Sequence, residues 1–119
     1  LFFYQKKYEK VLEQLRTVEY EDFSYNLNSK NMLLISFYEL NEIEPLYALF
    51  ESFRTYLNRH KEIPESRKRI YIDQIKFTKK LCKIIPRDKK AIEKFKKEVS
   101  ESPSVKSWTW LKEKIAELE

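Results

Sequence analysis

Apolar residues recur along the chain at steps of three and four, which is the spacing of amphipathic helices. The clearest stripe is Leu46, Leu49, Phe50, Phe53 and Leu57. The pattern predicts six helices, at residues 1–16, about 28–40, about 45–60, about 65–84, about 89–99 and about 105–119. No segment has a competing strand pattern, so the predicted fold class is all-α.

Residues between the helices supply the turns. The pair Asn41-Glu42 is short enough to make an antiparallel hairpin of the helices on either side. Pro64 and Pro86 close helices, because the residue before a proline is pushed out of the helical region. Asp88 is a suitable N-cap for the fifth helix.

Residues 17–27 break the helical period and are predicted to be a connection. Its aromatic residues Tyr20, Phe23 and Tyr25 are expected to pack on the core. Asn28, an N-cap residue type, is predicted to begin the second helix.

The chain is similar to itself after a shift of 35 residues. Phe2 then falls on Phe37, Val11 on Leu46, and Leu15 on Phe50. A period of this length is typical of helical repeat proteins, in which hairpins stack because none buries its apolar face alone.

Two segments, YQKKYEKVLEQL and NMLLISFYELNEIEPLYALFESF, resemble the tetratricopeptide repeat (TPR). Leu33, Phe37 and Phe50 stand where that family has its Leu, Tyr and Phe. The small residues of the family are replaced by large ones, its turn glycine is Asn41, and its closing proline comes late. The large replacements are Leu34, Leu46 and Phe53. The closing WTWLKEKIAELE is similar to the last helices of bacterial proteins of this repeat type.

The resemblance implies a short TPR-like solenoid of antiparallel hairpins with a C-terminal capping helix. It implies one helical domain over 1–119, with hairpins in 1–63 and a long basic helix plus two capping helices in 64–119. An unrelated helical bundle is the alternative. Since the chain begins with Leu1 inside a repeat, we expect further repeats upstream.

TPR domains hold peptides on the face of their first helices, which implies a non-enzymatic protein-binding scaffold or adaptor. The corresponding face of the second helix consists of Asn28, Asn31, Ile35, Tyr38 and Glu39. Coverage of this face by the preceding repeat is the alternative.

Composition excludes several kinds of site. The 119 residues include no glycine, one Cys and one His, so glycine-rich phosphate loops and Cys/His zinc sites are excluded. No residues assemble a nucleophile, a base and an oxyanion donor, so we expect no catalytic, cofactor or metal site. His60 and Cys82 are expected to be structural or solvated. Of the two tryptophans, Trp108 is expected in the core, and Trp110 is expected either to be half exposed or to pack on a neighbouring chain or domain.

Positive charge is concentrated in the second half. Residues 61–97 hold 14 basic and 5 acidic side chains, a net charge of +9, whereas the whole chain carries +5. Helical spacing places the basic residues of the fourth helix on one face, and Arg87 continues the line. This candidate basic patch is Arg69, Lys76, Lys80, Lys83 and Arg87.

Two functions remain open from the sequence. One is binding of a protein or peptide by the repeats, and the other is nonspecific nucleic-acid binding by the basic face of residues 67–97. A solvated helix face is the structural alternative to a basic site. No apolar run is long enough to span a membrane, and the unpaired Cys82 favours a reducing, cytoplasmic setting.

Overall fold

The computed structural model describes residues 7–15, 23–102 and 108–119. These residues form helices and turns, with no strand among them. The helices are α1 (Tyr8–Leu15), α2 (Phe23–Glu39), α3 (Ile43–Arg59), α4 (Glu65–Lys83), α5 (Lys89–Ser100) and α6 (Trp108–Leu118). Within the described ranges, no helix is both long and apolar enough to cross a bilayer. The prediction of an all-α fold with six helices is confirmed.

The hairpin of α2 and α3 turns at Asn41. Its φ of 57° lies in the left-handed region, which asparagine tolerates better than most residues. The N–H of Asn41 bonds the carbonyl of Tyr38 at 3.1 Å, and that of Glu42 bonds Phe37 at 2.9 Å. This pair of bonds is a Schellman motif, which satisfies the last carbonyls of α2.

The start of α2 differs from the prediction. The helix begins at Phe23, so the predicted connection over 17–27 is too long and Asn28 lies inside the helix, not at its cap. Leu27 is buried and lies two helical turns before Leu34 on the same apolar stripe. This burial explains why α2 extends further toward the N-terminus than predicted. Tyr25 is 61% exposed and does not pack on the core, while the side chains of Tyr20 and Phe23 lie outside the described part.

The three helices of the first half share a core. α2 contacts both α1 and α3. Leu34, Leu46 and Phe53 are fully buried. Between α2 and α3, the ammonium group of Lys30 lies 4.7 Å from the ring centre of Tyr56.

In the second half, α4 begins after Pro64, as predicted, and α5 begins after Asp88. The Asp88 carboxylate accepts a hydrogen bond from the Ala91 N–H at 3.2 Å, which confirms the N-cap. Phe77 of α4 and Phe95 of α5 pack edge to face with ring centres 6.0 Å apart. The backbone N–H of Arg87 donates to the Leu118 carbonyl of α6 at 2.8 Å, so α6 holds the turn before α5.

The chain divides into two compact units, Leu1–Ile63 and Pro64–Glu119. The first contains α1 to α3 and the second contains α4 to α6. The division falls at the Ile63-Pro64 bond, where the sequence places the end of the hairpin region.

Candidate functional site: a basic groove between α4 and α5

Four members of the basic patch lie along one side of α4, as their spacing predicts. Arg69, Lys76 and Lys83 are exposed, and Lys80 is half-buried. All four line a groove between α4 and α5, which consists of two neighbouring cavities of about 580 and about 290 Å³. Both cavities are bordered by Lys80 and Glu98, and together they are called the α4–α5 groove below.

The larger cavity mixes charges of both signs. Its cations are Arg69, Lys76 and Lys80, and its carboxylates are Asp73, Glu98 and Glu101. Phe77 forms an apolar part of the wall. The Asp73 carboxylate accepts a hydrogen bond from the Ser102 hydroxyl at 3.1 Å, which joins α4 to the end of α5.

The smaller cavity is lined by both apolar and charged side chains. Ile84, Ile85, Ala91 and Phe95 supply the apolar surface. Ile85 is 68% exposed, the largest exposed fraction of any large apolar side chain in the described ranges. Three lysines and two carboxylates line the same cavity: Lys80, Lys83, Lys94, Asp88 and Glu98.

Lys80 and Glu98 form an ion pair where the two cavities meet. The hydrogen bond from Lys80 is the main cause of a lowered pKa for the Glu98 carboxyl, with smaller contributions from the charges of Lys80, Lys94 and Lys76. Partial burial opposes this shift. Glu98 is therefore ionised at neutral pH and neutralises one of the groove lysines.

Three other groove cations form no direct ion pair within the described ranges, although Asp73, Asp88 and Glu101 also border the groove. They are Arg69, Lys83 and Lys94. The ammonium group of Lys76 lies 5.3 Å from the centre of the Phe77 ring. These cations are available to an anionic ligand.

Arg87 does not line the α4–α5 groove. It adopts a left-handed conformation, with φ of 69°, and borders a different cavity with Lys89, Ile92 and Lys96. The turn after α4 therefore carries Arg87 away from the line of basic residues that helical spacing predicted.

The candidate peptide-binding face of α2 is only partly accessible. Asn28 is exposed, and Tyr38 and Glu39 are half-buried. Asn31 is 7% and Ile35 is 1% exposed, so neither side chain offers a surface to a peptide in this structure.

The remaining reactive side chains occupy separate places. The Nδ1 of His60 lies 2.8 Å from a carboxylate oxygen of Glu62, and its ring stacks on Tyr56 with centres 4.1 Å apart. Burial raises the pKa of the Cys82 thiol, which keeps it protonated. Trp110 is half-buried, and the side chain of Trp108 lies outside the described part. No group of three or more metal-binding side chains occurs among the described residues.

Sequence reasoning missed part of this groove. Lys94 falls within the predicted basic face of residues 67–97, but Glu98 and the apolar pair Ile84-Ile85 also belong to the groove and were not predicted as part of a site. The exposed Ile85 next to Pro86 was the one available signal, since an apolar side chain directly after a helix end has little helix surface to pack on.

The chain matches no family model, no curated protein and no solved structure. The groove is therefore interpreted from its own geometry.

Proposed function

We propose that this chain is a non-enzymatic module that binds another protein. The observation that carries the proposal is the α4–α5 groove, which combines the exposed Ile85 with cations that form no ion pair within the described ranges. Protein-binding surfaces join an apolar centre to a polar rim in this way.

The first unit has the features expected of a scaffold. Its α2–α3 hairpin contains two helices of 17 residues each, joined by three residues. We propose that this hairpin is a degenerate TPR-like repeat and that α5 and α6 cap the array. The left-handed Asn41, which replaces the turn glycine of that family, supports this part of the proposal.

Nonspecific nucleic-acid binding is the second candidate. It is favoured by the alignment of Arg69, Lys76 and Lys83 along α4, since rows of cations neutralise phosphates. It is disfavoured by the carboxylates Asp73 and Glu101 in the same groove, because a continuous phosphate backbone would pass close to both.

Capture from a lysate of the source cell separates the two functions. The immobilised chain is incubated with and without nuclease, retained proteins are identified, and each is purified and bound again to the isolated chain. We expect at least one protein that survives nuclease and binds directly. Retention of nucleic acid alone, or of proteins that nuclease removes, would contradict the proposed function.

A further inference from the structure

We propose that the α4–α5 groove binds a short segment of a partner protein in which bulky apolar residues are flanked by acidic residues. This inference rests on the proposed function and names the chemistry of the partner. The argument has three steps: an apolar seat, a complementary charge pattern, and a mismatch with nucleic acid.

The apolar seat is the smaller cavity. Ile84 and Ile85 lie on one side of it, and Ala91 and Phe95 lie on the other. A volume of about 290 Å³ accommodates one or two aliphatic side chains. Covering the exposed Ile85 with such a side chain removes apolar surface from water, which stabilises the complex.

Cations that form no ion pair within the described ranges border both cavities: Lys83 and Lys94 border the smaller one, and Arg69 borders the larger one. Asp88 and Glu98 also border the smaller cavity, but Asp88 accepts a hydrogen bond from the Ala91 N–H and Glu98 pairs with Lys80. An acidic residue beside an apolar anchor would therefore meet a lysine or arginine that has no ion-pair partner within those ranges. Charge complementarity of this kind speeds association and fixes the orientation of the bound segment.

The pattern fits a peptide better than a polynucleotide. Phe77 and Phe95 are 2% and 3% exposed, so the groove aromatics offer no platform for stacking bases. Lysine, which predominates in the groove, also binds phosphate less specifically than arginine does.

The test uses the whole chain and fluorescence anisotropy at low salt. The probe is a fluorescein-labelled peptide, EEELLEEE, and the comparison ligands are EEESSEEE and a single-stranded oligothymidylate of about 20 nucleotides. We expect EEELLEEE to bind about tenfold more tightly than EEESSEEE, because only the first fills the apolar seat.

Matched variants locate the binding. Lys94→Glu and Lys89→Glu both lie on α5 and change the net charge equally, but only Lys94 borders the groove. Ile85→Ser and Ile72→Ser both replace exposed isoleucines, but only Ile85 borders the groove. We expect about tenfold weaker binding of EEELLEEE for each groove variant and less than about twofold change for each control.

Each other outcome overturns the inference in a distinguishable way. Equal binding of the two peptides, or equal effects of groove and control variants, would exclude an apolar-anchored segment in this groove. Failure of both peptides, while a purified partner still binds the chain, would show that the inference is wrong and the proposed function correct. Tight binding of the oligothymidylate that Lys94→Glu removes, with no peptide binding, would contradict both and favour nucleic acid.

Discussion

At the residue scale, the chain contains no glycine, so other residues adopt the left-handed conformation in its turns. Asn41 and Arg87 both have positive φ, at 57° and 69°. Asparagine tolerates this conformation, whereas arginine has no such preference. The hydrogen bond from the Arg87 N–H to Leu118 offsets part of the cost.

Asn41→Ala should therefore destabilise the chain. Alanine has a Cβ but no local polar side chain to favour the left-handed region, so we expect a loss of about 1 kcal/mol in the free energy of unfolding. Asn41→Gly should preserve or slightly raise stability, since glycine adopts positive φ without strain. Urea unfolding measures both. Asn58→Ala, at an exposed position inside α3, is the control and should not destabilise. Equal effects of Asn41→Ala and Asn41→Gly would contradict the backbone argument.

The buried side chain of Gln74 is a second feature that lowers the stability of the fold. Its side chain is fully buried in α4, and neither its amide nitrogen nor its amide oxygen has a hydrogen-bond partner among the described residues. A buried unsatisfied polar group costs about 1–3 kcal/mol. Gln74→Met keeps nearly the same shape without the amide, so we expect stability to rise by about 1 kcal/mol.

Thermal unfolding of the Gln74→Met chain measures this change. Gln74→Glu is the informative comparison, because it keeps the shape but adds a charge that burial disfavours, and it should lower the midpoint. A lower midpoint for Gln74→Met would show that the amide makes hydrogen bonds in solution that stabilise the fold.

At the scale of elements, Lys80 and Glu98 connect α4 to α5 beside the Phe77–Phe95 contact. The lowered pKa of Glu98 in the folded chain determines the sign of its pH effect. The ion pair stabilises the fold above the ordinary pKa of a glutamate, about 4.3. That contribution is lost as the pH falls through the lowered pKa of the folded state.

Lys80→Met should remove this pH-dependent part. Both side chains are partly exposed, so solvent screens the pair and we expect a loss of less than about 1 kcal/mol at pH 7. The difference in free energy of unfolding between Lys80→Met and the unaltered chain should become smaller in acid. In the Lys80→Met chain, the pKa of Glu98 should rise towards its ordinary value. Denaturant unfolding over a pH series and a carboxyl titration by NMR measure these. Lys83→Met is the control, because Lys83 is exposed and forms no ion pair with any residue that the structure describes. A loss that is equal at every pH would assign the effect to packing.

The sequence predicted the elements better than their contacts. The bounds of α3 and α4 follow from turn residues and a regular stripe, and Asp88 marks α5 by its capping chemistry. The start of α2 was placed too late. The apolar spacing changes over residues 23–27, and this change was interpreted as a connection although the helix continues through it. The α4–α5 groove was half predicted, since spacing shows which residues of α4 share a face. Glu98 lies 18 residues from Lys80, and only packing shows that the two meet.

At the scale of the whole molecule, charge is the dominant feature. The chain carries +5, and lysines on α4 and α5 stand near other lysines at helical spacing. Lys76 and Lys80, Lys79 and Lys83, and Lys90 and Lys94 are each four residues apart. Each such like-charge pair destabilises a helix by about 0.2–0.5 kcal/mol.

Salt should therefore stabilise the free chain. Raising sodium chloride from about 20 to about 200 mM shortens the screening length severalfold, which weakens repulsion between exposed lysines. We expect a gain on the order of 0.5–1 kcal/mol, measured as a higher unfolding midpoint. Chloride is used because sulfate stabilises proteins through exclusion from their surface. Lys94→Gln should reduce the response, since it removes one member of the Lys90–Lys94 pair. A midpoint that falls with salt would show that attractive ion pairs such as Lys80–Glu98 outweigh the repulsion.

The same screening should weaken binding of the acidic peptide EEELLEEE. Salt should therefore raise the stability of the chain and lower its affinity for the peptide if the lysines of the groove govern both.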